Sequence, residues 1–199
     1  MDLKFWNNVY ETKSEDAVSW YQEVPKYALE KILTLNLSSS ASIIDVGGGR
    51  SKLIECLSKN SFKDLTVLDI SSVALAKLKD KFPNNQINII TSNIVEAKFS
   101  KQFDLWHDRA VFHFLTKPDD QKKYVDLLYS SLKKNGYLLI STFSKTGPLK
   151  CSGLEICQYD KDDLAAKFSN LTLISSDNED HHTPFGTVQN FTHCLFKKV

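Results

Sequence analysis

The chain has 199 residues, with 25 Lys and Arg against 24 Asp and Glu, 42% hydrophobic residues and a formal net charge of +1. That length holds one domain with a substantial core, and the balanced charge carries no bulk basic field for nucleic acid or an anionic membrane. The opening MDLKFWNNVYETK lacks the apolar run of a secretory signal and no segment reaches bilayer length, so a cytoplasmic protein is expected.

In chain order, Phe5–Tyr10 and Lys26–Leu35 read as helices ahead of the first strand. From Ser42 onward, apolar runs of strand length alternate with amphipathic helix-length segments. The strands are expected at Ser42–Val46, Asp64–Asp69, Ile87–Thr91, Phe103–His107 and Tyr137–Phe143, and the helices between them at Ser51–Asn60, Ser71–Phe82 and Asp119–Lys134. The last helix is expected to end on Lys133, Lys134, Asn135 and Gly136, basic residues followed by a left-handed terminator. Such alternation implies a parallel sheet covered on both faces. A short helix at Asp160–Phe168 then leads to strands at Asn170–Ser175 and Val188–Lys197, joined without a helix and so antiparallel at the sheet edge. No repeat or Pro/Gly linker divides the chain. One domain over 1–199 is expected, with 1–40 as an N-terminal helical lid segment and 41–199 as the core.

The stretch SIIDVGGGRSKLIECL puts Gly47, Gly48 and Gly49 at the carboxyl end of the first strand, where open parallel sheets bind ligands. Glycine there allows a tight turn and close approach of a ligand to backbone. A dinucleotide loop wants GxGxxG, but Lys52 or Leu53 stands where its last glycine belongs, and no GK-Ser/Thr triplet makes a phosphate loop. Asp45 directly precedes the glycines and Asp69 ends the second strand. A carboxylate repels a pyrophosphate and welcomes an ammonium group, and one at the second strand end suits ribose hydroxyls. Two carboxylates around bare backbone fit a cationic nucleoside better than an anionic dinucleotide. For Asp69 a helix N-cap is the competing role, one that Ser71 or Ser72 fills equally well.

SIIDVGGGRS, with LTVLDIS downstream, resembles the first and second signature segments of class I S-adenosylmethionine-dependent methyltransferases. The likeness extends through FDLWHDRAVFHFL, LKKNGYLLIST and VQNFTHCLFKK, with Ser51 in place of the usual last glycine. It implies a Rossmann-like α/β fold, a seven-stranded mostly parallel sheet with an antiparallel last strand and helices on both faces. It also implies S-adenosylmethionine as cofactor and S-adenosylhomocysteine as product. Carried over by position, Gly47, Gly48 and Gly49 border the methionine moiety with Asp45 near its ammonium. Asp69 holds the ribose, Ile70 touches adenine, and Asn93 and Ile94 lie at the adenine amino group. His107 and Asp108 close the fourth strand beside the donor methyl, and His-Asp-Arg-Ala there disfavours nucleobase amino methylation. Trp20 and Tyr21 are the candidate lid, against a competing role as staples of an N-terminal helix. For FWNNVY, core packing is favoured.

Methyl transfer needs alignment, exclusion of water and sometimes a base. His107 or His113 is a candidate base, with Asp108 beside them, and Arg109 a candidate for an anionic substrate group. Ion pairing or packing is the competing reading of each. His181 and His182 are adjacent in an expected polar loop and point opposite ways, so no metal site is assigned. Cys56, Cys151, Cys157 and Cys194 form no CxxC pair and read as free thiols. KTGPLKCSGLEICQYD is long enough for a substrate-facing flap. The expected acceptor is a small molecule or a protein side chain; the absence of a basic–aromatic run argues against nucleic acid. An NAD(P)-dependent oxidoreductase and a non-catalytic cofactor-binding module are the alternatives.

Overall fold

Apolar residues at both parities of the core strands need cover on two sides, and helices supply it. The computed structural model describes residues 2–50, 52–83 and 86–199. Two helices, α1 (Leu3–Thr12) and α2 (Lys26–Thr34), precede β1 (Ser42–Val46). Then follow α3 (Leu53–Lys59), β2 (Asp64–Asp69), α4 (Ser72–Lys81), β3 (Asn88–Thr91), β4 (Phe103–Arg109), α5 (Pro118–Ser131) and β5 (Leu132–Phe143). A small hairpin, β6 (Lys150–Cys151) and β7 (Leu154–Glu155), leads to α6 (Lys161–Lys167), β8 (Thr172–His182) and β9 (Val188–Lys197). Seven strands form the main sheet in the order β3-β2-β1-β4-β5-β9-β8. Strands β1 to β5 pair in parallel, and β9 runs antiparallel to both β5 and β8. No helix among the described residues is long and apolar enough to cross a membrane.

Strand parity decides which side chains reach which face. Ile43, Leu65, Leu105, Leu139 and Leu195 pack under α2, α3 and α4. Ile44, Trp106, Leu138 and Phe196 pack against α5 and α6 on the other side. Asp45, His107 and Arg109 share the parity of Ile43 and Leu105, whereas Asp108 shares that of Trp106. Asp108 therefore meets α5: its carboxylate accepts from Tyr124 Oη at 2.6 Å and from the Val111 N–H at 2.9 Å, while Trp106 Nε1 donates to Tyr124 Oη at 2.9 Å. Burial lifts the Asp108 carboxyl to about 6. Tyr124→Phe strips both Asp108 and Trp106 of a partner and is expected to cost about 1–3 kcal/mol, read as a lower urea midpoint with an unchanged slope.

Two expected boundaries differ by more than two residues. The helix α5 stops at Ser131, and LKKNG already belongs to β5. Lys133 reaches Asp104 at 2.7 Å across β4, and the positive φ of 63° falls on Asn135, not Gly136. Leu132 pairs with Phe103 and Tyr137 with Leu105, with residues 133–136 bulged between them, and this pairing on both sides outweighs the basic helix-end signal. At the far edge, β8 runs on to His182 through residues expected to be loop, because β9 offers register partners as far as His182↔Val188. Ser51, the residue in the last-glycine position and the expected start of α3, lies outside the described residues.

Candidate active site

The carboxyl ends of β1, β2 and β4 open into a cleft of two adjoining lobes that share Tyr10, Trp20, Gly47 and Arg109. One lobe holds Asp45, Gly48, Arg50, Lys52 and His107. The other holds Asp69, Ile70, Ser92, Ile94 and Cys151. The glycine loop allows this proximity. Gly47 sits at φ +69°, and a Cβ there would lie 2.1 Å from Val111 Cγ2; Gly49 sits at φ +40°, where a Cβ would lie 2.6 Å from Tyr10 Oη. Side chains at these positions would fill the cleft and strain the backbone.

Asp45 and His107 are register partners on neighbouring strands, and Asp45 Oδ1 meets His107 Nδ1 at 2.7 Å. Both are buried, at 2% and 3% exposure. Asp45 Oδ2 and His107 Nε2 have no partner among the described residues. With Nδ1–H donated to Asp45, Nε2 keeps its lone pair free. Asp69 ends β2 and accepts the Ser71 N–H at 2.7 Å, while Ser71 itself caps α4 through Ala74 N at 3.2 Å. Burial and then nearby Asp45 lift the Asp69 carboxyl to about 7, although the N–H groups of Ser71, Gly49 and Ile70 pull it down.

The segment between α1 and α2 roofs the cleft. Trp20 makes edge contacts with Trp6 and Tyr10, at centroid distances of 5.9 and 6.2 Å. Lys52 Nζ donates to Tyr21 Oη at 3.3 Å, and Arg109 Nη1 donates to the Trp20 carbonyl at 3.1 Å. Arg50 donates to the carbonyls of Tyr10 and Lys13 at the end of α1. FWNNVY is packed as expected, with Trp6, Val9 and Tyr10 buried. Tyr10 and Arg50 escaped the sequence reading. Tyr10 looks like one more apolar residue at helical spacing, and only the return of α1 over the glycine loop brings it to Gly49 and Asp69.

The other candidates separate by place. Asn93 lies between the lining residues Ser92 and Ile94, its Oδ1 accepting from Val95 N at 3.4 Å, while Ile94 lines the second lobe. Asp108 faces α5. His113 is fully buried against Phe114 and Phe143, at centroid distances of 4.5 and 4.9 Å, and lines neither lobe. Burial, and then Arg109, hold its imidazole neutral, at about 3. His181 and His182 diverge along β8: His181 is buried with Nε2 at 2.8 Å from the Ser19 carbonyl, and His182 is exposed.

Comparison with known proteins finds methyltransferases by sequence and by fold. The family described as a methyltransferase domain matches residues 44–140. A malonyl-(acyl-carrier protein) O-methyltransferase from Priestia megaterium is 29% identical over 142 residues, covering 70% of this chain and 50% of that protein. The chain thus spans about half the length of this curated relative. Among solved structures, Burkholderia thailandensis 1,6-didemethyltoxoflavin-N1-methyltransferase with bound S-adenosylhomocysteine superposes with a TM-score of 0.76 at 18% identity, covering 99% of this chain and 87% of that one. The N-methyltransferase NodS from Bradyrhizobium japonicum, in complex with S-adenosylhomocysteine, gives a TM-score of 0.71 at 15% identity over 96% and 97% of the two chains.

Proposed function

We propose that the chain is a class I S-adenosylmethionine-dependent methyltransferase and that it moves the cofactor's methyl group by in-line displacement to an acceptor held beneath the Trp20–Tyr21 roof. The observation that carries the reading is the pair of unpartnered buried atoms, Asp45 Oδ2 and His107 Nε2, set on the same strand edge as Asp69 around a loop with no room for side chains. Anionic acceptors on both sides of bare backbone suit a ligand with an ammonium group and ribose hydroxyls, and they repel a diphosphate.

The residues fit that ligand by chemistry. Asp45 Oδ2 would take the ammonium of the methionine moiety, and Arg50 and Lys52 stand in the same lobe for its carboxylate. Gly47, Gly48 and Gly49 leave space for its backbone. Asp69 would accept from the ribose hydroxyls, with Ile70, Asn93 and Ile94 around the adenine. Bound there, S-adenosylmethionine supplies a sulfonium methyl ready for displacement. Trp20, Tyr21 and Tyr10 exclude water and offer aromatic faces to positive charge. His107 Nε2 takes the acceptor's proton, and Asp45 holds the ring in the tautomer that allows it.

An NAD(P)-dependent oxidoreductase is disfavoured by Lys52 in the last-glycine position and by Asp45. The relatives are named for a malonyl-(acyl-carrier protein) and for 1,6-didemethyltoxoflavin, in keeping with a small-molecule acceptor; a protein side chain is the second class. Calorimetry on the full chain tests the reading. S-adenosylhomocysteine is expected to bind in about the micromolar range and NADH not to bind. The reverse order would replace the reading by the oxidoreductase one, and cofactor binding without methyl transfer to any acceptor in a lysate would leave a binding module.

A further inference from the structure

Arg109 stands two residues beyond His107 on β4 and on the same face of the sheet. Its Nη1 donates to the Trp20 carbonyl, and its guanidinium lies 4.6 Å from the centroid of the Phe191 ring. Its Nη2 is sealed from solvent without a partner. Among the described residues no carboxylate lies within ion-pair distance of it. Glu179 acts on it only through space, because that carboxylate is bonded to His193 Nε2 at 3.0 Å. Burial lowers the guanidinium to about 10, so it stays charged at neutral pH. A desolvated cation without a counter-anion is costly, and an anion entering the cleft would relieve it. The cofactor's carboxylate already has Arg50 and Lys52 at the glycine end.

We propose that the methyl acceptor is a small carboxylate bearing a hydroxyl or amino group, its acid group paired with Arg109 and its nucleophile at His107 Nε2. This rests on the methyltransferase reading above and adds the acceptor's chemistry to it. Side chains two residues apart on a strand rise from one face about 7 Å apart, so only a few atoms separate acid from nucleophile. In the transfer the acceptor O–H or N–H loses its proton to Nε2, and its lone pair forms the bond to the methyl carbon. The S–CH3 bond breaks with its electron pair left on sulfur, as the thioether of S-adenosylhomocysteine. The roof of residues between α1 and α2 keeps the acceptor small, because Arg109 is tied to that roof through Trp20.

The test loads the full chain with S-adenosylhomocysteine and titrates lactate, 3-hydroxypropionate, 3-hydroxybenzoate and anthranilate against their primary amides by calorimetry. At least one acid is expected to bind at least about tenfold better than its amide. Arg109→Gln, which keeps a donor for the Trp20 carbonyl, should abolish that preference and Arg109→Lys should retain part of it. Melting curves of both variants report on folding, and S-adenosylhomocysteine affinity should fall far less than acid affinity. No acid bound below about 50 mM, equal binding of amides, or a loss of S-adenosylhomocysteine affinity as large as the loss of acid would each overturn the assignment. Exclusive methylation of a protein side chain would do the same. Failure of the wild type to bind S-adenosylhomocysteine removes the cofactor reading itself, whereas cofactor binding without acid binding removes only this proposal.

Discussion

Asp69→Ala is expected to weaken S-adenosylhomocysteine binding by at least about a hundredfold, since each hydrogen bond to a charged acceptor contributes about 1.5–3 kcal/mol and two ribose hydroxyls are at stake. The carboxyl also makes binding depend on pH. In the free protein its value stands near 7, raised from 3.8 by burial, and the ribose hydroxyls donate to the ionised form. Affinity should therefore climb as pH rises through about 7 and level off above it, and Asp69→Asn should flatten the curve. Stability moves the opposite way. The folded chain holds this proton over a pH range in which the unfolded chain has released it, so the contribution is full below the unfolded value and is lost as pH rises through the folded one. At pH 8 the unliganded Asp69→Asn variant should consequently melt above the wild type, even as it binds cofactor poorly. Calorimetry across pH 5–9 with melting curves alongside decides the matter, and unchanged affinity in Asp69→Ala would take Asp69 out of the site.

His107→Gln is expected to lower kcat by at least about a hundredfold, the lower end of what a placed general base contributes. Glutamine still offers a donor to Asp45 Oδ1, so the buried carboxylate keeps its partner and the strands keep their pairing. What disappears is the lone pair at Nε2. S-adenosylhomocysteine affinity should change far less than kcat. Labelled-methyl transfer to the acceptor found by screening is the assay. A variant rate within about threefold of wild type would show that the acceptor arrives already deprotonated and that His107 only positions Asp45.

Much of the frame was legible before any coordinates. The bounds of β1, β2 and β9 coincide with the runs expected from sequence, because each is a continuous apolar or alternating stretch cut off by glycine, aspartate or polar residues. The misread segments carry conflicting local signals. LKKNG has the composition of a helix end, yet it lies where β5 begins to pair with β4. SSDNEDHH is polar enough for a loop, but an edge strand needs only a partner's backbone, and its inward residues meet other polar groups: Asp177 takes Tyr27 Oη at 2.7 Å and Glu179 takes His193.

By itself the sequence determined the strand–glycine–helix unit, the two carboxylates at the sheet edge, and with them the kind of ligand the edge admits. These depend on residues close together in the chain, where periodicity and turn chemistry act directly. Only the tertiary structure decided which of the candidates clustered around β4 face the cleft. Parity turns His107 and Arg109 toward it and Asp108 toward α5, and the turn after β4 buries His113. Pairing of β1 with β4 sets Asp45 against His107, and the return of α1 puts Tyr10 over the glycines. Each of these is a meeting of residues far apart in sequence, or a choice of face, and local composition carries no record of either.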